Sequence, residues 1–297
     1  MTISTNLWYN RSTQALQTLS AHSDSVLTQI STTKKLQQPS DDPVAYSRLQ
    51  GLAVASSDAK AYGSNLDTAA SSLASADTTL TSIGAQLTRA QTLAVQANNG
   101  TLSDSDRAAI GQELTGIVES LAGLGNTKDA RGLPLFGDSA GTPGVTKEAD
   151  GTYSFASGPV STIPIADGQG VEPTTNAARI FQFNGTNTLQ VLTDLATALT
   201  AGGDIGDAGD TALADIQTAS DQVNSVQASL GARASRVELE QATQKSAATQ
   251  REVDRSGLED TDITAAITEL QKTMTILSAT QASFTKLQSL SLFDYLK

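Results

Sequence analysis

The sequence contains no cysteine and few aromatic residues. Without cysteine, this 297-residue chain has neither disulfide bonds nor thiolate-bound metals available to it. Aromatic residues make up only 4% of the chain, whereas enzyme cores usually depend on bulky aromatic side chains. Ala, Ser, Thr, Gln and Leu are abundant instead, which favours long helices. We therefore expect helices that meet along thin apolar seams, without one thick core.

Basic residues and long apolar runs are also scarce. The chain has 19 Lys and Arg against 31 Asp and Glu, a formal charge of −12. Nucleic acids and anionic membrane surfaces would repel such a chain, so neither is an expected partner. No window of 18 apolar residues occurs, so we expect no membrane insertion. The N-terminal segment lacks a basic start followed by an apolar stretch, and we expect no secretory signal peptide.

The residues that catalysis would need are missing as well. His22 is the only histidine, and no nucleophile elbow, P-loop or dinucleotide-binding motif accompanies it. We expect His22 to be exposed or interfacial. The aspartates of GGDIGDAGD (residues 202–210) are three residues apart, unlike the alternate ligands of an EF-hand loop. The sequence therefore predicts no enzyme, no cofactor and no metal site.

Proline divides the chain into two helical arms and an insert. Residues 44–133 and 174–297 contain none, while five of the seven prolines lie between 134 and 173. The insert has short β-like runs separated by Gly and Pro: TYSF at 152–155, VSTIPI at 160–165 and ARIFQF at 178–183. Residues 134–232 hold eleven acidic and two basic residues. We expect a solvated, peripheral insert with β-hairpins.

Capping residues indicate where the helices of the first arm begin. Asp42 is placed to cap a helix whose first residue is Pro43, and this helix should reach the NNG at residues 98–100. Ser103 with Asp106 three residues later forms a capping box for the next helix.

The second arm shows similar signals. A helix is predicted at about residues 189–199, and a longer one starts near Ala212. Ser256 and Glu259 have capping-box spacing and suggest that a new helix begins there.

Both chain ends carry an apolar row at helical spacing. Near the N-terminus the row consists of Leu16, Leu19, Val26 and Ile30. The last helix has alternating steps of three and four, the register of a left-handed coiled coil. Its row consists of Ile263, Ile267, Leu270, Met274, Leu277 and Phe284, and large apolar residues continue at Leu287, Leu290, Leu292, Phe293 and Leu296. We predict that these two rows bind partner helices during assembly.

Three co-linear motifs resemble the bacterial flagellin superfamily: QISTTKKLQQPSDDPVAYSRLQ (29–50), ANNGTLSDSDRAAIGQEL (97–114) and SGLEDTDITAAITELQ with SFTKLQSLSLFDYLK (256–297). The PSDDP form, the MTIST start and the LSLFDYL finish are most similar to its hook–filament junction proteins, since filament flagellins usually read closer to SASDDAAG. TTKK at 32–35 replaces the more usual STGK, which loses a glycine.

The resemblance implies a mainly α fold in which long antiparallel terminal helices form a coiled-coil-like bundle and a small β-rich insert faces outward. It implies a terminal core domain of residues 1–40 plus 260–297. A helical bundle domain would comprise residues 41–133 plus 190–259, and the insert residues 134–189.

The resemblance also implies a structural role at the junction of the flagellar hook and filament, outside the cell. Expected partners are further copies of the chain, the neighbouring hook-associated junction protein, flagellin, and a FlgN-like export chaperone at the C-terminal region. Export through the flagellar type III apparatus is expected. The alternatives are a filament flagellin and a flagellin-like surface protein that binds a ligand or adheres through its acidic insert.

Overall fold

The computed structural model describes residues 2–202 and 205–294, with side chains for 7–202 and 205–286. Its helices are α1 Thr2–Thr32, α2 Pro43–Ala97, α3 Asp104–Gly125, α4 Ala177–Phe181, α5 Thr188–Ala201, α6 Gly206–Glu259 and α7 Ile263–Asp294. Its strands are β1 Val145–Lys147, β2 Tyr153–Phe155, β3 Ile163–Ala166, β4 Gln169–Val171, β5 Gln182–Phe183 and β6 Thr186–Asn187. The mainly α fold with a small β-rich insert is therefore confirmed.

The chain forms two compact units. The first combines residues 1–57 with 247–297, and the second comprises residues 58–246. Helices α2 and α6 each contribute one part to the first unit and the other part to the second. The three-part division at residues 40, 133, 189 and 260 stays a prediction.

The helix starts of the first arm are confirmed. Helix α2 begins at Pro43, and Asp42 Oδ1 accepts hydrogen bonds of 3.0 Å from the backbone N–H groups of Val44 and Ala45. Helix α3 begins after Ser103, which exchanges hydrogen bonds with Asp106 in a complete capping box. Local capping chemistry alone fixes these boundaries, because a helix start leaves N–H groups without intrahelical partners.

The predicted capping box at Ser256 and Glu259 is wrong. Helix α6 continues to Glu259, and it begins at Gly206, six residues before Ala212. Asp262 caps α7 instead: its Oδ1 accepts from the N–H groups of Thr264 and Ala265 at 2.9 and 3.0 Å. Ser256, in the last turn of α6, donates to Asp260, the residue that follows this helix.

The second unit has one continuous apolar core, so the expectation of thin seams is wrong for this unit. Helices α2, α3, α5 and α6 supply side chains that are at most 1% exposed, among them Leu80, Leu87, Leu114, Leu121, Leu192 and Ile216. Two aromatic residues of the insert, Phe136 and Phe181, are fully buried in this core. Gly111 lets α3 approach α5, because a Cβ there would lie 2.8 Å from the Ala196 carbonyl oxygen.

The insert contains three antiparallel hairpins, β1–β2, β3–β4 and β5–β6. The third turns at Asn184 and Gly185, whose φ angles are 47° and 81°, as a two-residue type I′ turn requires. The predicted strand at 178–183 is wrong for its first four residues, which belong to α4. Asn176 caps that helix by accepting a 3.1 Å hydrogen bond from the N–H of Arg179.

Candidate assembly surface

Helices α1 and α7 run antiparallel in the first unit, and α7 is the main helix in contact with α1. Val26 is 4% exposed, and Leu16, Leu19 and Ile30 are half-buried. The row predicted in α1 therefore faces α7. Its steps of three and four residues keep one side of the helix along the contact.

Helix α7 faces α1 with a row shifted from the one that the sequence suggests. Its most buried residues are Ala266 and Thr273, at 8% and 2% exposure. Leu270, Leu277 and Phe284 are half-buried and share that face by helical spacing. Three members of the predicted row thus pack towards α1, and small residues complete it.

Two other members of the predicted α7 row, Ile267 and Met274, are turned away from α1. Ile267 and Met274 are 42% and 54% exposed, whereas Ile263 is half-buried. Ile267 and Met274 each follow a buried residue by one position, about 100° around the helix. Leu27 follows Val26 on α1 in the same way and is 55% exposed. Because the helices are antiparallel, this step turns all three to the same side of the pair, and we call Leu27, Ile267 and Met274 the uncovered strip.

Aromatic rings close the pair near residue 8. Trp8 stacks on Phe284 with ring centroids 5.8 Å apart, and Tyr9 lies 5.3 Å from the same ring. Trp8 and Tyr9 remain 40% and 45% exposed. Since Trp8 is the only tryptophan, its fluorescence reports on this contact alone.

The turn after α1 is fastened to the turn before α7 by backbone hydrogen bonds. The N–H of Thr261 donates to the Thr33 carbonyl at 2.9 Å, and the N–H of Lys35 donates to the Glu259 carbonyl at 2.7 Å. These bonds join segments more than 220 residues apart, and they hold the end of α1 next to the start of α7.

Ion pairs also connect the turn after α1 to the end of α6. The Glu259 carboxylate, whose side chain is 13% exposed, contacts both the Lys34 ammonium and the Arg255 guanidinium. The pKa of Arg255 is raised, first by its hydrogen bond to Glu252 and then by that to Glu259. Glu259 therefore acts as an ion-pair centre in place of the helix-capping role that the sequence suggested.

The PSDDP motif forms the turn that leads into α2. Asp41 Oδ2 accepts from the N–H groups of Gln37 and Gln38 at 2.9 and 3.0 Å. These two hydrogen bonds, that from Gln37 first, lower the pKa of Asp41. The two neighbouring aspartates therefore have different roles: Asp41 stabilises the turn, and Asp42 caps helix α2.

Thr33 has a φ of 60°, in the left-handed region that a β-branched residue rarely adopts. We expect Thr33→Gly to raise the free energy of unfolding of the first unit by about 1 kcal/mol, because glycine enters this region without a steric cost. Thermal unfolding followed by Trp8 fluorescence measures the change.

The neighbouring substitution Thr32→Gly is the control. Thr32 is the last residue of α1, so glycine should lower stability there by about 0.5–1 kcal/mol. If both substitutions shift the unfolding temperature in the same direction, strain at Thr33 is not the cause.

Some sequence predictions lie outside the described side chains, namely Leu287, Leu290, Leu292, Phe293 and Leu296. Other residues of the surface were missed: Ala266 and Thr273 are too small or too polar to mark an apolar row, and Glu259 depends on a distant Lys34. The expectation for His22 is confirmed, since its side chain is 50% exposed and lies 3.5 Å from Glu269.

Within residues 2–202 and 205–294, no three His, Cys, Asp or Glu residues are grouped as metal ligands would be. In the same part of the chain, no helix has the length and apolar character needed to cross a membrane. The fold class is a mainly helical protein whose first and last helices pack together as an antiparallel pair.

Two family models match the chain over most of its length. Residues 3–140 match the bacterial flagellin N-terminal helical region, and residues 213–296 match the bacterial flagellin C-terminal helical region. The chain belongs to the bacterial flagellin superfamily and is a structural protein of the flagellum.

Named relatives agree with this assignment. The chain is 26% identical over 326 residues to flagellar hook-associated protein 3 of Salmonella typhimurium, with 99% of both chains covered. A putative flagellar hook-associated protein from Vibrio parahaemolyticus shares the fold with a TM-score of 0.69 at 23% identity, over 74% of this chain and 100% of that one. The flagellar junction protein FlgL from Legionella pneumophila shares the fold with a TM-score of 0.61 at 15% identity, over 72% of this chain and 100% of that one.

Proposed function

We propose that this protein joins the flagellar hook to the filament. The observation that carries the proposal is the end-to-end similarity to a relative named flagellar hook-associated protein 3, which covers 99% of both chains. The role is structural: the protein holds other subunits in place and catalyses no reaction.

Assembly proceeds through the terminal helices in this proposal. The row that begins at Leu16 on α1, and Leu270, Leu277 and Phe284 on α7, hold these two helices together, and the uncovered strip packs against helices of neighbouring copies. Single exposed apolar residues are ordinary, but three on one side of a two-helix pair form a surface suited to a third helix. As predicted from the sequence, the proposal also assigns partner contacts in the assembly to Leu287, Leu290, Leu292, Phe293 and Leu296.

The net charges of the two units support assembly through the terminal helices. The first unit has nine basic and ten acidic residues, a net charge of −1, whereas the second has ten basic and 21 acidic residues, a net charge of −11. Copies packed side by side repel through second units but hardly through first units. The first unit therefore suits the inside of an assembly and the second suits its solvated outside.

The proposed organisation keeps three parts: terminal helices at residues 1–40 and 260–297, a helical bundle at 41–133 and 190–259, and the outward insert at 134–189. Its partners are other copies, the neighbouring hook-associated junction protein and flagellin. A FlgN-like chaperone binds the C-terminal region before type III export, and the assembled protein lies outside the cell.

Deletion of the gene tests the role. We expect deletion cells to lose motility and to release flagellin into the medium, because the filament has no junction to grow from; a plasmid copy should restore both. Deletion cells that swim with filaments attached would contradict a junction role. A chain as abundant as the main subunit in purified filaments would instead identify a filament flagellin.

A further inference from the structure

A groove in the first unit has two glycines in its lining. It runs between the start of α2 and the end of α6 and is lined by Arg48, Gly51, Leu52, Val253, Asp254, Gly257 and Leu258. A Cβ placed on Gly51 or Gly257 would meet no atom within 4 Å. Val253 on the rim is 60% exposed. The described residues of the chain therefore leave the groove unfilled.

Neither glycine is explained by packing within the chain. Both lie inside long helices, where glycine is less stable than alanine. Neither has a positive φ, and neither has a close neighbour of the kind that Gly111 has. Other helix glycines, such as Gly63 and Gly231, have equally open surroundings, so open space alone does not mark a contact site. Gly51 and Gly257 line one groove together, and an apolar side chain from outside can approach the helix backbones there because no Cβ occupies its place.

The charges at the rim restrict what can approach. Arg48 has no hydrogen bond or ion pair among the described residues, and Asp254 accepts one from Gln250 at 2.9 Å. One free cation beside one anion suits a nearly neutral partner surface better than a strongly acidic or basic one. The first unit of another copy has this character, with a net charge of −1.

The same unit also has apolar side chains that lack a cover. We propose that the groove between Gly51 and Gly257, here called the glycine socket, receives an apolar side chain of the uncovered strip from a neighbouring copy of this chain. The socket, where two glycines have no side chains, thus receives an apolar side chain that its own chain leaves exposed. The proposal rests on the proposed function, which makes identical copies neighbours.

The substitution Gly257→Leu tests the socket. Leucine favours helix, and its Cβ would meet no atom within 4 Å, so the purified protein should unfold at a higher temperature. The same side chain fills the socket, so we expect at least tenfold fewer copies in isolated flagella and a matching loss of motility. A merely structural role for the glycine would move stability and assembly in the same direction.

Gly231→Leu is the matched control on the same helix. Gly231 also has no atom within 4 Å of a Cβ, but it belongs to the acidic second unit. We expect the same gain in unfolding temperature with incorporation within twofold of the original. Equal losses of incorporation in both variants, or none in either, would overturn the socket.

A photo-crosslink identifies the occupant. With p-benzoylphenylalanine in place of Val253, irradiation of intact flagella should give an adduct of twice the chain mass. Trypsin and mass spectrometry should find residues 252–255 joined to a peptide of the strip, namely 12–34, 256–272 or 273–286. An adduct with another protein, an adduct outside those peptides, or no adduct overturns the proposal. If Gly257→Leu assembles normally while gene deletion abolishes motility, the socket is wrong and the junction role stands.

Discussion

Leu277→Asp should leave cells non-motile and reduce incorporation of the protein into flagella at least tenfold. Leu277 lies on the buried side of α7 with Thr273 and Phe284, so a carboxylate there would be partly desolvated without a partner. Lost apolar burial and charge desolvation together cost about 2–4 kcal/mol at a half-buried site. Leu270→Asp should act in the same way. Isolated flagella and swimming plates measure the effect.

Thr275→Asp is the control, because Thr275 is exposed on the opposite side of α7 and acquires the same charge. We expect cells with Thr275→Asp to swim like cells with the original protein, and the variant to be incorporated into flagella to the same extent. Circular dichroism should show an intact second unit in all variants, since its core lies in residues 58–246. Normal assembly of Leu277→Asp would refute the role given to the terminal helices.

Trypsin should remove residues 1–40 and 260–297 from the purified monomer before it cuts residues 45–250, with rates that differ by roughly tenfold or more. Helix α1 has α7 as its main partner, and among the side chains that the structure describes on these two helices only Val26, Ala266 and Thr273 are buried. The second unit, in contrast, has a continuous core. Cleavage after Arg11, Lys272 and Lys286 can be followed by mass spectrometry.

The same digestion of intact flagella is the comparison. If neighbouring copies cover the uncovered strip, cleavage after Lys272 should slow strongly on assembly, because protease access requires local opening. Ends that resist trypsin in the dilute monomer as well as residues 45–250 do would contradict intermolecular packing of α1 and α7.

Features that depend on neighbours in the chain were predictable. Asp42 with Pro43, and Ser103 with Asp106, mark helix starts because each cap satisfies N–H groups two or three residues away. The row from Leu16 to Ile30 was predictable for the same reason, since helical spacing puts it on one face whatever the partner is.

Features that depend on contacts between distant residues could not be predicted from the sequence. Ser256 and Glu259 have the spacing of a capping box, but Lys34 holds Glu259 in an ion pair. Within the predicted α7 row, Leu270, Leu277 and Phe284 lie towards α1, whereas Ile267 and Met274 are exposed because the smaller Ala266 and Thr273 pack against α1 instead. The helical start of ARIFQF follows from Asn176, outside the run whose apolar residues suggested a strand.

By itself, the sequence determined that this is a helical, cysteine-free, acidic chain with apolar rows at both ends and motifs of the flagellin superfamily. These properties follow from composition and from spacings of a few residues. Only the tertiary structure decided which side of α7 meets α1, which apolar side chains stay uncovered, and where two glycines lie across one groove. Each depends on contacts between segments far apart in the chain, and burial there is decided by the shape of the opposing surface.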